Sequence, residues 1–291
     1  MNGVSKSLQR HLPLWISAGM ALVALLCIGT LFLYLLVESI PILQNQGFQF
    51  FTGTDWWSGE TYGALPMIFG SLMVTGLALV FVLPFALGAA ILTSEFLPPR
   101  SRLWVKAMME LLAGIPGIIY GLIGISLLVP FVQKGFNLID GNTLLTAGFL
   151  LAVMILPTIM TLAEDSLHGV PGEFRQSALS LGMTRWQMIR GAVLPNALPG
   201  IAGAVFLGLG RAMGETIAVM LVIGGLDRIP VPWINVFSSG QSIASKLGRE
   251  AAESIGSGLQ WNALIGLGLV LFLLVMTLTW IGNTLLIRKT A

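Results

Sequence analysis

Charge is scarce in this sequence. Only 10% of the 291 residues are Asp, Glu, Lys or Arg, against about 25% in an ordinary soluble domain. With 55% of the chain hydrophobic, a water-soluble globule of this size is excluded. The fifteen Lys and Arg residues exceed the acids by a net charge of only +2 and lie scattered between apolar blocks. No basic stripe follows a phosphate backbone, so nucleic acid is not a partner. Cys27 is the single cysteine and lies inside an apolar run, which rules out an intrachain disulfide or a Cys-based metal site and leaves a small buried hydrophobe as its expected role. No Gly-rich GxxxxGK[ST] loop occurs, so ATP chemistry does not belong to this chain. The apolar stretch after Lys6, Arg10 and His11 is too long for a secretory signal and lacks a small-residue cleavage site.

What is present is a series of long apolar runs. A helix needs about 20 apolar residues to cross the hydrocarbon, and the expected spans are 12–40, 67–94, 104–132, 142–164, 199–226 and 261–287. The fold class is therefore an all-α membrane protein of about six transmembrane helices in one domain. Lys6, Arg10, Arg100, Arg102, Lys106, Arg175, Arg185, Arg190, Arg288 and Lys289 fall on one side, and only Lys134, Arg228, Lys246 and Arg249 on the other. The positive-inside rule then puts both termini in the cytoplasm and turns Gln44–Gly63, Lys134–Asp140 and Asp227–Gln260 outward. Pro84, Pro116 and Pro157 lie inside spans, where kinks rather than breaks are expected. Gly114, Gly117, Gly121 and Gly124 repeat at helical spacing, a stripe that lets another helix approach closely. Trp56, Trp57, Trp233 and Trp261 mark membrane boundaries.

The longest cytoplasmic segment, 165–198, carries local signals for two short helices. Pro171 and Gly172 open the first, with Glu173 at the positive end of its dipole, and Gly182 fits its stop. Thr184 and Gln187 have capping-box spacing for a second helix, Arg185 to Val193, which Pro195 is expected to end. By itself this pattern also suits an amphipathic hairpin lying on the headgroups.

Arg211 and Glu215 stand in the fifth apolar run, four residues apart. At the bilayer centre each charge costs roughly 2.5–3.5 kcal/mol on insertion scales, so both are expected to face protein or a watery path, paired with one another. A purely architectural ion pair satisfies the same pattern. The guanidinium also matches an oxyanion and cannot be switched off by deprotonation, while Glu215 can accept a hydrogen bond from an anion that still carries a proton.

Two stretches carry a family resemblance. Gln176, Ser177, Ala178, then Gly182, then Ala192, Leu194 and Pro195 resemble the EAA loop of ABC importer permeases, although Gln176 stands where Glu is usual, Ser177 replaces Ala and Ala192 replaces Ile. Gly210-Arg211-Ala212-Met213-Gly214-Glu215-Thr216 resembles the signature of phosphate-specific ABC permeases, and Gly114 to Gly121 and Tyr62 to Pro66 agree with it. The aromatic outward segment with Phe50, Phe51, Trp56 and Trp57 looks more like the C-type than the A-type subunit. The resemblance implies a type I importer permease in the bacterial cytoplasmic membrane, with no catalytic residue, metal or cofactor of its own. It implies a substrate path at Arg211, Glu215 and Thr216 and contact with a separate ATPase dimer through Glu173, Gln176, Ala178, Gly182, Leu194 and Pro195. It also implies a homologous permease partner, most simply a heterodimer, and an extracytoplasmic phosphate-binding protein. The rivals are a permease for sulfate or molybdate, an ion-coupled carrier with Glu215 as proton relay, and a membrane scaffold.

Overall fold

A computed structural model describes residues 2–290, with side chains for 14–282 and Thr284. The side chains of Lys6, Arg10, Arg288 and Lys289, used above for orientation, lie outside the described set. The chain is helical almost throughout: α1 (Asn2–Gln46) and α2 (Gln49–Thr52) precede a small hairpin of β1 (Trp56–Trp57) and β2 (Thr61–Tyr62), followed by α3 (Leu65–Ile91). Next come α4 (Pro99–Ala113), α5 (Gly117–Ile123), α6 (Val129–Gly135), α7 (Leu144–His168), α8 (Gly172–Ser180) and α9 (Arg185–Met188). The chain ends with α10 (Leu194–Met213), α11 (Ile217–Val222), α12 (Ile243–Ser254) and α13 (Leu259–Thr290). Among the described residues six helical segments are long and apolar enough to cross a membrane: Leu14–Gln46, Leu65–Phe96, Gly117–Gly135, Leu144–His168, Arg185–Met213 and Leu259–Gly282.

Helix α7 is the pillar of the bundle. Two thirds (67%) of its most apolar window is buried, against none (0%) for α1, as expected of a helix that is hydrophobic on all sides and enclosed by others. Its start is fixed by Thr143, whose hydroxyl accepts the Thr146 N–H at 3.2 Å. Helices α3 and α10 pack along it through small residues, with Gly148 against Leu77 and Gly208 against Ile159. A second, smaller core joins α1, α2, the hairpin, α12 and α13 around Ile42, Phe50, Tyr62, Met67 and Leu264.

One close approach is decisive for the assembly of these two cores. A Cβ at Gly70 of α3 would stand 1.9 Å from the Gln241 carbonyl oxygen, a backbone atom with no rotamer to change. Gly70→Ala is expected to lower stability by about 3 kcal/mol, the upper part of the overpacking range. Thermal unfolding in detergent measures this, with Gly76→Ala, which meets nothing within 4 Å, as the neutral reference.

Several expectations are corrected. Pro84 and Pro157 do lie inside α3 and α7, but Pro116 separates α4 from α5 altogether, so the expected span 104–132 is two helices with a break. The expected span 199–226 is likewise α10, a three-residue break and α11. Pro195 opens α10 instead of ending a helix. A π-helical turn, Ile189–Val193, joins α9 to α10 with the Leu194 N–H on the Ile189 carbonyl, and in the first turn of the next helix the missing N–H of Pro195 is tolerated. Cys27 lies exposed on α1 rather than buried. Trp56 is buried and stacks edge-on against Tyr62 at 5.1 Å, so of the four expected boundary tryptophans it is the one taken into the core, while Trp57 and Trp233 are exposed and Trp261 is half-buried.

Candidate functional site

The two helix breaks meet. Helix α4 ends at Ala113 and α5 restarts at Gly117; α10 ends at Met213 and α11 restarts at Ile217. A Cβ on Gly117 would stand 2.5 Å from Oε1 of Glu215, and one on Gly121 3.0 Å from the Ala218 Cα. Three members of the glycine stripe, Gly117, Gly121 and Gly124, thus seat the second break and α11; Gly114 meets only carbonyls of its own helix. The broken ends need partners, because lipid supplies none. Tyr120 donates its hydroxyl to the Leu112 carbonyl at 2.9 Å. Arg211 donates to the Ala113 carbonyl at 3.0 Å and to the Thr158 hydroxyl of α7 at 2.8 Å.

Arg211 and Glu215 do not form the expected ion pair among the described residues. The break at Gly214 takes their four-residue spacing out of helical register. Glu215 turns back on its own segment, its Oε1 accepting the Ala218 N–H at 3.3 Å, where a carboxylate suits a helix start. It also borders a small recess with Ser71, Thr75 and Ser242, whose other walls, Val74, Leu151 and Met213 among them, are apolar. The hydroxyl of Thr216 donates to the Gly214 carbonyl at 3.2 Å. Arg211 is exposed in the isolated chain and lines a cavity of about 880 Å³ with Thr158, Phe206, Leu207 and Thr279. A guanidinium carries five N–H donors, so after these two bonds the fork still has donors for an anion.

The hairpin of α8 and α9 is built as its local signals indicate. Helix α8 starts after Pro171 with Glu173 exposed in its first turn. Gly182 closes it at φ +76°, a conformation that favours glycine. Thr184 and Gln187 form the reciprocal capping box of α9. Ala178 is buried, whereas Gln176 and Pro195 are exposed and Leu194 is half-buried. A recess of about 510 Å³ opens beside the turn, lined by Leu181, Trp186, Gln187 and Arg190.

What the sequence reading missed is the anchor of this hairpin. Arg175 of α8 donates to both carboxylate oxygens of Glu95, at 2.8 and 3.3 Å, and to the carbonyls of Leu167 at 2.8 Å and Val170 at 2.5 Å. The pair with the buried Glu95 joins α8 to the end of the α3 segment and to the end of α7. This fixed docking does not suit a hairpin that merely lies on headgroups. Beside it Arg102 of α4 meets the buried Glu164 at 2.5 Å and His168 Nδ1 at 2.7 Å, and Lys106 pairs with Asp165. The hydrogen bond to Asp165 holds the Lys106 ammonium above its ordinary pKa, helped by the nearby acids and opposed by burial.

On the opposite face Lys246 of α12 is 2% exposed. It is neutralised by Asp227 and by Glu250 at 2.5 Å, with its ammonium 4.8 Å from the Trp56 ring centre. Burial pushes the Asp227 carboxyl above the usual range, and the hydrogen bond from Lys246 opposes that shift.

Six apolar helical segments, two apposed breaks and a docked hairpin define a multi-pass helical membrane protein. Residues 83–291 match the family model described as "Binding-protein-dependent transport system inner membrane component", and the chain belongs to that family. It is 34% identical to the phosphate transport system permease protein PstC of Mesorhizobium japonicum, over 93% of this chain and 88% of that protein. It is 38% identical to PstC of Pasteurella multocida, over 83% of this chain and 80% of that one. It is also 34% identical to the probable ABC transporter permease protein YqgH of Bacillus subtilis, over 81% and 77% of the two chains. Among solved structures its fold matches a chain of the inward-facing MetNI methionine ABC transporter, with a TM-score of 0.61 at 20% identity over 77% of this chain and 95% of that one. A bacterial alginate ABC transporter matches with a TM-score of 0.56 at 18% identity, over 98% and 97%. The architecture is that of a type I importer permease.

Proposed function

We propose that this chain is a permease subunit of an ATP-driven importer that moves inorganic phosphate across the cytoplasmic membrane by alternating access. The observation that carries the reading is Arg211. It is a permanent cation fixed by Thr158 and Ala113 where two helix breaks meet, and no acid among the described residues is in an ion pair with it. The relatives named as phosphate transport permeases support the choice of anion. Phosphate oxygens accept from the remaining guanidinium donors, and Glu215 accepts a hydrogen bond from the proton that phosphate still carries near neutral pH. Sulfate, fully deprotonated there, offers Glu215 nothing and is repelled.

The chain hydrolyses nothing; an ATPase dimer drives it from the cytoplasm, where both termini lie. The motor engages α8 and α9, with Glu173 and Gln176 exposed to it and Gly182 setting the turn. Because Arg175 ties α8 to the ends of the α3 segment and α7, a push on the hairpin moves the pillar helix, and with it Thr158 beside Arg211. A homologous permease supplies the other half of the path, and a phosphate-binding protein delivers to the outward loops.

Glu215→Gln tests the selectivity. The neutral amide accepts the hydrogen bond of phosphate more weakly than a carboxylate and no longer repels sulfate, so the preference for phosphate over sulfate is expected to fall by about tenfold, the worth of one charge-assisted hydrogen bond. Uptake of labelled phosphate against increasing sulfate measures it; an unchanged competition curve removes Glu215 from the discrimination.

A further inference from the structure

Among the outward cations of the sequence, Lys246 is buried and neutralised by two acids, but Arg249, three residues on along α12, is not. Arg249 is exposed and takes part in no ion pair among the described residues; its guanidinium donates to the Met220 carbonyl at the end of α11, at 2.6 Å. Its place is prepared on both sides. A Cβ on Gly225 would stand 2.5 Å from Nη1 of Arg249, and Gly225 holds φ +84°, so glycine there lets the backbone run directly beneath the guanidinium. The helix that carries Arg249 is fixed by the Ser242–Ser245 capping box and the buried Lys246 cluster.

Arg249 lines a cavity of about 520 Å³ that it shares with Asp140, Asn142, Gly224 and Gly248. Asp140 already accepts from Asn142, through the backbone N–H at 3.0 Å and the side-chain amide at 2.7 Å. The floor of the cavity adjoins the first site: a Cβ on Gly248 would stand 2.6 Å from Cγ2 of Thr216 and 3.4 Å from Sδ of Met220. The Thr216 and Met220 side chains thus lie between Gly248 of the outward recess and the broken helix that carries Glu215.

We infer that this recess is an outer oxyanion site, in which Arg249 receives the anion before it passes Thr216 towards Arg211. The inference rests on the phosphate reading above. The charge of Arg249 is tempered, without an ion pair, by Asp140 in the same cavity and by the nearby Asp227, so a phosphate is held loosely and released, as conduction through successive sites requires. Asp140 accepts a hydrogen bond from the proton that phosphate still carries and repels an anion that has none.

The test uses the assembled importer in membrane vesicles, in a Cys27→Ser background that leaves no other cysteine in this chain. Arg249→Cys is expected to lower labelled phosphate uptake by about tenfold, the effect of losing charge-assisted hydrogen bonds, with ATP hydrolysis stimulated by the binding protein unchanged. Reaction of the thiol with the cationic reagent 2-aminoethyl methanethiosulfonate should restore several-fold of that loss, and the anionic 2-sulfonatoethyl reagent none of it. Arg249→Gln, which keeps a donor for the Met220 carbonyl, should match unmodified Arg249→Cys. Unchanged uptake, equal response to both reagents, or a parallel fall in ATP hydrolysis each overturns the outer site. The Cys27→Ser importer with Arg249 intact reports on the function itself: if it carries sulfate in place of phosphate the phosphate reading falls, and the same charge rescue is then read with sulfate.

Discussion

Replacing Arg211 by alanine is expected to lower phosphate uptake by about 10- to 100-fold per assembled importer. Hydrogen bonds to charged groups contribute about 1.5–3 kcal/mol each, and about 1.4 kcal/mol corresponds to a factor of ten. The loss has two parts. The anion loses the cation fixed at the meeting of the breaks, and the Ala113 carbonyl and Thr158 hydroxyl lose the donor that joins α4 and α7 to α10. Arg211→Lys separates them: it keeps a charge but not the planar fork, so it should recover part of the uptake and none of the two-point clamp. Uptake normalised to the amount of complex in the membrane is the measurement. If Lys performs as well as Arg, charge alone is required and the fork geometry carries nothing.

A comparably large effect is expected at Arg175, for a different reason. Arg175→Ala leaves Glu95, 5% exposed, without its partner and frees the Leu167 and Val170 carbonyls. Breaking a buried pair by removing one member costs about 3–5 kcal/mol, because the remaining charge is uncompensated. The hairpin should loosen, so the ATPase subunits should separate during size-exclusion chromatography and the unfolding midpoint should fall. Glu95→Gln combined with Arg175→Ala should recover much of the stability, since no charge is then buried alone, without recovering ATPase retention. A single variant that behaves like the parent in both assays would mean that the hairpin is held by other contacts.

The apolar crossings, the hairpin helices and the presence of two charges in the fifth apolar run were legible because each is written locally. Apolar length gives the crossings, Thr184 and Gln187 give a cap three residues apart, and a charge in an apolar run stands out by its cost. The breaks were not read correctly although their signals were present. Gly114 and Pro116 precede Gly117, and Gly214 follows Arg211, a stop residue in each case. Hydropathy averages over such short interruptions, so both segments looked like single helices. Assuming a continuous helix then placed Arg211 and Glu215 on one face, and the break placed them on different partners.

Arg175 was invisible for a deeper reason. Its partner Glu95 lies 80 residues away at the end of another helical segment, and a side chain counted only as one more inward-side cation gives no sign of such a contact. Arg249 differs from Lys246 in the same way: the two are alike in sequence, and only the packing of α12 shows that one is neutralised and the other faces a cavity.

The most direct measurement of the central claim is uptake of labelled phosphate, with excess sulfate present, in cells lacking this chain and in the same cells with the chain restored. The account predicts that the restored chain brings back uptake that sulfate does not suppress. Phosphate uptake that is the same with and without the chain, or that sulfate abolishes, would contradict it.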